Sequence, residues 1–198
     1  KDAGVKHVVY TSFLGKNETE ASPLWMVAAS HLKTEAWLKE SGVDYTILKN
    51  TLYMDFVPVF LGENVIESGV IYLPADNGKV GAILRSEMAE ATANILSNDN
   101  HTGKTYQFTA PEAFSYEDVA QHLSEITGKT INYISPTADE YVQTLREYGV
   151  PTDYIGLFSA FAVAQANGEL ETIGSDLEQL LGRKPTSIKT FLTQVYSK

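Results

Sequence analysis

Residues 5–50 read VKHVVYTSFLGKNETEASPLWMVAASHLKTEAWLKESGVDYTILKN, and their pattern sets the fold class. Val5 to Ser12 is a short apolar run centred on Val8, Val9 and Tyr10, the signature of a buried strand. Residues 23–41 predict a helix. Pro23 suits its first turn, Ser22 is placed to cap it, and Trp25, Ala28, Ala29, Leu32, Ala36 and Leu38 supply an apolar face. Ser41-Gly42 stops the helix, and Val43-Asp44-Tyr45-Thr46-Ile47-Leu48 is a second strand. A strand–helix–strand unit joins parallel neighbours through a crossover, so the expected class is α/β.

Upstream, Lys1-Asp2-Ala3-Gly4 reads as a helix terminus, because glycine favours the position just past a helix. A βα protein rarely opens there, which suggests segments before Lys1. Downstream, Asp55 to Ser68 is expected to be helical, with Pro58 in its first turn, followed by a short strand over 69–74. Asp76-Asn77-Gly78-Lys79 is a turn, Val80 to Leu84 a strand, and Ser86 the cap of a helix to Ser97 with Met88, Ala91, Ile95 and Leu96 inward. Strands are expected over 104–109 and 131–135. A helix over 115–127 opens on Ser115-Tyr116-Glu117-Asp118, a capping-box-like start, and Gly128 ends it. Residues 137–149, 151–167, 175–181 and 187–197 read as helices.

Composition narrows the function. The 198 residues are 43% apolar, enough for a substantial core, and no run of 18 apolar residues predicts a membrane span. Without cysteine there is no disulfide, no thiolate metal site and no cysteine nucleophile. The absence of cysteine and of a signal-peptide pattern fits a cytoplasmic protein. Fifteen basic against 25 acidic residues give a formal charge of −10, which disfavours nucleic acid as a partner. His7, His31, His101 and His122 show no metal spacing. There is no Gly-x-Ser-x-Gly elbow, no Walker-type loop and no Gly-x-Gly-x-x-Gly.

The chemistry-bearing candidates lie where the two strands end. In open α/β sheets ligands bind outside the carboxyl ends of the strands. The first strand ends in Tyr10-Thr11-Ser12, and its two hydroxyls suit a cofactor or substrate as well as a turn or cap. The second ends in Leu48-Lys49-Asn50-Thr51. Asn50 both donates and accepts, which matches a nicotinamide carboxamide, and it equally suits a turn. His31 lies mid-helix with Val27 and Glu35 one turn away, and a histidine there is either a proton carrier or a half-buried surface group. Lys33 and Lys39 read as solvated helix charges.

Four blocks resemble the NmrA-like branch of atypical short-chain dehydrogenases: KDAGVKHVVYTS (1–12), HLKTEAWLKESGVDYTILKNTLYMDF (31–56), ADNGKVGAILRSEMAEATANIL (75–96) and HTGKTYQFTAPEAFSYEDVAQHLSEITGK (101–129). Their order and spacing agree over nearly the whole chain. The resemblance implies a Rossmann-like parallel sheet, of which this is the C-terminal part, plus a smaller α/β substrate lobe. Residues 1–54, with elements returning around 70–110, would belong to the NAD(P)-binding domain, and 55–198 mainly to the substrate lobe. The family's glycine-rich fingerprint sits in the first βα unit, so several units of ~30 residues would precede Lys1.

The resemblance also implies NADPH or NADH as cofactor, bound through Thr11, Ser12, His31, Asn50 and Thr51, with Tyr53 and Phe56 walling a small, quinone-like substrate. His31 falls where related reductases carry the lysine of Tyr-x-x-x-Lys, and Val27 falls at the tyrosine. The missing tyrosine disfavours carbonyl–alcohol chemistry and is compatible with hydride transfer to a quinone, with His31 as the catalytic residue. The alternatives are a non-catalytic NAD(P)-binding regulator and an inactive fragment of such a protein. Arg85 is expected to pair with Glu87 or Glu90. A homodimer is compatible with this reading.

Overall fold

The computed structural model describes residues 3–197. Lys1 and Asp2, half of the helix terminus expected at 1–4, lie outside them. Strand β1 (His7–Phe13), helix α1 (Trp25–Glu40) and strand β2 (Asp44–Asn50) form the expected unit. The strands pair in parallel from His7↔Asp44 to Phe13↔Asn50, and β4 (Thr105–Phe108) adds a third parallel strand from Ile47↔Thr105 to Asn50↔Phe108. The order β1-β2-β4 makes β2 central. Thr46, Ile47 and Leu48 are accordingly buried in succession, because a strand covered on both faces has no solvent side to alternate with.

Helix α1 covers one face of this sheet. Helices α4 (Arg85–Leu96) and α8 (Asp176–Leu181) cover the other, where Leu48, Ile83, Met88, Ala91, Ile95, Phe108 and Leu177 form one core. The larger core joins Leu24 and Ala28 of the first unit to the rest of the chain. That part contains α2 (Val57–Leu61), α3 (Val65–Ser68), β3 (Val70–Tyr72), α5 (Tyr116–Thr127), β5 (Asn132–Ile134), α6 (Ala138–Glu147), α7 (Thr152–Ala166) and α9 (Ile188–Tyr196). Strands β3 and β5 form a separate parallel pair, so 70–72 joins a second sheet while 105–108 returns to the first.

Several local expectations are corrected. The single helix over 55–68 is three pieces: a 3-10 turn at Met54–Phe56, then α2 and α3, separated at Gly62 with φ of 79°. Pro58 does lie in the first turn of α2. Residues 80–84 are extended but make only the isolated bridges Val80↔Phe114 and Tyr53↔Ile83. Ser86 does not cap α4. The helix begins at Arg85, whose backbone N–H donates to Asp55 Oδ2 at 2.9 Å. Leu96 points outward, Val5 precedes the strand and is exposed, and Ala36 faces solvent. On α1 it is Glu35 that is buried.

Helix α5 opens as expected. Ser115 Oγ accepts from Asp118 N–H at 3.2 Å, and Asp118 Oδ2 accepts from Ser115 N–H at 2.8 Å. Burial alone would raise the Asp118 carboxyl, but the bonds it accepts from the Ser115 N–H and Oγ–H, together with the Lys79 and His122 side chains, hold it below its ordinary value. The box therefore stabilises above that ordinary value and is lost as pH falls through the lowered one. Ser115→Ala is expected to cost about 1 kcal/mol, read by chemical denaturation at neutral pH.

Candidate active site

The parallel register brings the carboxyl ends of β1 and β2 side by side. Phe13 is opposite Asn50, Ser12 opposite Lys49 and Thr11 opposite Leu48. The backbone beyond the pairs is also tied down, since Leu14 N–H donates to Asn50 O at 2.8 Å and Thr51 N–H to Phe108 O at 3.1 Å. All seven predicted residues, Thr11, Ser12, His31, Asn50, Thr51, Tyr53 and Phe56, line one cavity of about 490 Å³ at this rim.

The opposite wall is one that sequence reading missed. Tyr154, Leu157, Phe158 and Phe161 line the cavity from α7. Their spacing of three, four and seven residues places them on one face of a helix, and this stripe was the signal available. It was masked because the stripe is flanked by further apolar residues, among which Ile155, Ala162 and Ala164 are buried, so α7 shows no sharp polar boundary. Phe158 meets Phe60 edge-on with centroids 5.4 Å apart, and Tyr53 stacks on Phe56 at 6.0 Å and 26°. The lining contains no Asp, Glu, Lys or Arg.

The polar rim is held by a ladder between β1 and α1. Tyr10 and Ser12, two apart on the strand, meet His31 and Glu35, four apart on the helix. The Tyr10 hydroxyl lies 2.8 Å from His31 Nδ1, and Ser12 Oγ donates to Glu35 Oε1 at 2.5 Å. Lys49 stands 3.7 Å from Glu35 and 2.7 Å from Glu18, and Lys39 stands 3.6 Å from Glu35, so the buried carboxylate is compensated. Lys39 is thus less idle than a solvated helix charge, whereas Lys33 lies over the exposed Trp37 ring. Burial lowers the His31 pKa from its ordinary value, and the Glu35 carboxylate offsets part of that effect. The balance favours the neutral ring.

Asn50 differs from its neighbours. Its side chain is buried, yet Oδ1 has no hydrogen-bond partner. A buried amide oxygen left unpaired costs about 1–3 kcal/mol, and a donor from water, an ion or a ligand would relieve that cost. Asn50 also borders a second space of about 400 Å³, shared with Thr11, Tyr53 and the α4 residues Arg85, Met88 and Thr92. A molecule lying across the rim thus meets Asn50 from either side.

Arg85 does not pair with Glu87 or Glu90. It stands 3.5 Å from Asp55 and 5.6 Å from the Phe56 ring centre, steadying the segment that walls the cavity. Glu87 and Glu90 instead take Arg183 at 2.8 and 2.6 Å, and Glu87 also accepts from Thr186 N–H. Among the described residues no group of three or more His, Asp or Glu side chains is placed to hold a metal, and no helix is long and apolar enough to cross a membrane.

Comparison with known proteins follows the same lines. The model of the NmrA-like family matches residues 1–192. The chain belongs to the NmrA-like family. Quinone oxidoreductase 2 of Escherichia coli is 28% identical over 197 residues, which span all of this NmrA-like chain and 67% of that protein. Its structure in complex with NADPH superposes with a TM-score of 0.86 over 98% of the chain and 67% of its own. The Citrobacter triphenylmethane reductase complexed with NADP(H) is 32% identical, with a TM-score of 0.88 over 98% of the chain and 66% of its own. An NmrA-like family domain-containing oxidoreductase of Aspergillus flavus is 32% identical over 93% of the chain and 60% of its own length. The NmrA-like chain thus spans about two thirds of the relatives it matches.

Proposed function

We propose that this chain carries the nicotinamide-facing rim and the acceptor pocket of an NAD(P)H-dependent oxidoreductase that delivers hydride to a planar, quinone-like acceptor. The observation that carries the reading is Asn50: a buried amide whose oxygen has no partner, in the lining of an aromatic cavity at the joint ends of two parallel strands. A nicotinamide carboxamide offers the N–H donor this oxygen lacks. NADPH is favoured over NADH by the quinone oxidoreductase 2 and triphenylmethane reductase complexes, which hold NADPH and NADP(H). When bound, the reduced nicotinamide supplies the hydride.

The chain's own residues supply position. Asn50 holds the carboxamide, with Thr51 beside it. Thr11 and Ser12 border the sugar, Ser12 as an acceptor because its one proton goes to Glu35. Tyr53 and Phe56 wall the acceptor on one side, and Phe158 and Phe161 on the other, where they exclude water. His31 donates a proton to the acceptor's oxygen as that oxygen gains charge. The cofactor-facing residues all fall within 1–54. The segment 55–198 supplies the α7 wall and returns β4 to the first sheet, which makes it mainly the acceptor-binding lobe. An uncharged, aromatic lining favours a flat apolar acceptor over a sugar or a carboxylate.

Steady-state oxidation of NADPH against a panel of quinones tests this function. The expected outcome is saturable turnover with fused-ring quinones and at least tenfold lower kcat/KM with aliphatic carbonyls, a preference of about 1.4 kcal/mol. Tight cofactor binding without turnover would overturn the enzyme reading in favour of a regulator that senses the cofactor.

A further inference from the structure

The Tyr10 hydroxyl sits 2.8 Å from His31 Nδ1, and the two rings lie 5.8 Å apart, tilted by 49°. His31 lines the cavity and Tyr10 does not, so the phenol stands behind the imidazole on the side away from the acceptor space. Among the described residues the His31 ring makes no other hydrogen bond. Its second nitrogen, Nε2, is the one left for the cavity. The contact is reinforced two residues along β1 and one turn along α1, where Ser12 holds Glu35. Strand and helix are therefore locked at two successive points, and the imidazole has little freedom to turn.

The direction of the bond follows from acidity. A phenol, with an ordinary pKa of about 10, is a much better donor than a neutral imidazole N–H, and a bare imidazole nitrogen is a better acceptor than a phenol oxygen. The expected arrangement is O–H to Nδ1, which puts the ring's own proton on Nε2.

We propose that Tyr10 is a positioning residue that donates its hydroxyl proton to His31 Nδ1, fixing Nε2–H as the donor that faces the acceptor and replacing the proton once it is given up. This rests on the reading of His31 as the proton donor. The step balances. When bound, reduced nicotinamide would supply the two-electron hydride that reduces the quinone-like acceptor. The acceptor's anionic oxygen then takes the proton from Nε2, breaking N–H and forming O–H. Tyr10 O–H breaks as Nδ1–H forms. The resulting phenolate regains its proton from water, and the ring returns to its first tautomer when Nδ1 and Nε2 re-exchange through solvent. Tyr10 never touches the acceptor.

The experiment is an NMR titration of the imidazole nitrogens in the 198-residue chain and in Tyr10→Phe, with His31 assigned by the signals missing in His31→Gln. It reads the ring directly and needs neither cofactor nor turnover, so its failure is distinct from failure of the oxidoreductase reading. Other ionisable groups near the ring are Glu35 from α1, which favours the protonated form, and the Tyr53 and Tyr154 phenols that share its cavity. Those are common to both proteins.

In the unsubstituted chain at neutral pH, Nδ1 is expected to be the unprotonated nitrogen. A bond donated to the neutral ring disfavours the charged one, so Tyr10→Phe should raise the midpoint of the His31 titration. A protonated Nδ1 in the unsubstituted chain would overturn the proposal, as would a midpoint that stays put or falls in Tyr10→Phe. The first of these needs no variant, so the proposal stays testable if Tyr10→Phe fails to fold.

Discussion

Replacing His31 with alanine is expected to lower kcat for NADPH-dependent quinone reduction by about 100-fold while leaving the fold intact. A positioned proton donor contributes on the order of 10²–10⁴ in rate, and loss to the lower end is expected where the hydride carries most of the reaction. Folding is spared because the side chain is only half buried and its one hydrogen bond, to Tyr10, is replaced by water at a cost of about 1 kcal/mol or less. The pH dependence of stability separates this variant further. The His31 pKa is lowered from 6.5 on folding, so below 6.5 the unfolded chain takes up more protons than the folded one. Stability therefore falls as pH drops from 6.5 through the lowered value, then levels. In His31→Ala that contribution is absent. Kinetics at saturating quinone, with thermal melts across this range, check both statements. An unchanged rate removes His31 from the chemistry.

Gly78→Ala is expected to destabilise the protein by about 3 kcal/mol and to lower Tm by roughly 10 °C. A Cβ at Gly78 would stand 1.9 Å from Gln165 O and 2.4 Å from Gln165 C, both backbone atoms of α7. Neither partner yields easily. Gln165 Nε2 donates to Gly78 O at 2.9 Å, and Gly78 N–H donates to Ala75 O at 2.9 Å, so the turn and the helix are clamped together. The same helix bears Tyr154, Leu157, Phe158 and Phe161, so displacing it also deforms the acceptor cavity. Gly156→Ala is the contrasting case. It lies on α7 with open space at its Cβ, and there alanine should stabilise by about 0.5–1 kcal/mol through helix propensity. Thermal melts of the two variants, side by side, separate a close approach from a general intolerance of α7.

Much of this site was legible because its determinants are local. The runs Val8–Tyr10 and Tyr45–Leu48 announce parallel strands, although Val8–Tyr10 is only half-buried because β1 is an edge strand of this sheet, and the parallel register then brings Thr11, Ser12 and Asn50 to one edge. The capping box at Ser115 and the stop at Gly128 are also written within a few residues. What escaped depends on distant partners. Glu35 looks like a surface charge until Ser12 and Lys49 arrive from two strands to meet it. Glu87 takes Arg183 from 96 positions away, which leaves Arg85 to Asp55. The 55–68 helix breaks at Gly62, where apolar periodicity continues but the backbone turns left-handed. The 80–84 strand is extended because it bridges Phe114 and Tyr53, not because it belongs to a ladder.

The rim itself is best probed with reduced nicotinamide mononucleotide, which carries the redox ring and one sugar phosphate. Its addition is followed at the side-chain amide of Asn50 by NMR. A saturable shift of the Asn50 amide together with the His31 ring, with the His31 response lost in Asn50→Leu, is the predicted result. Saturable shifts confined to other surfaces, or no response at Asn50 at concentrations that saturate the chain elsewhere, would contradict the placement of the nicotinamide at this rim.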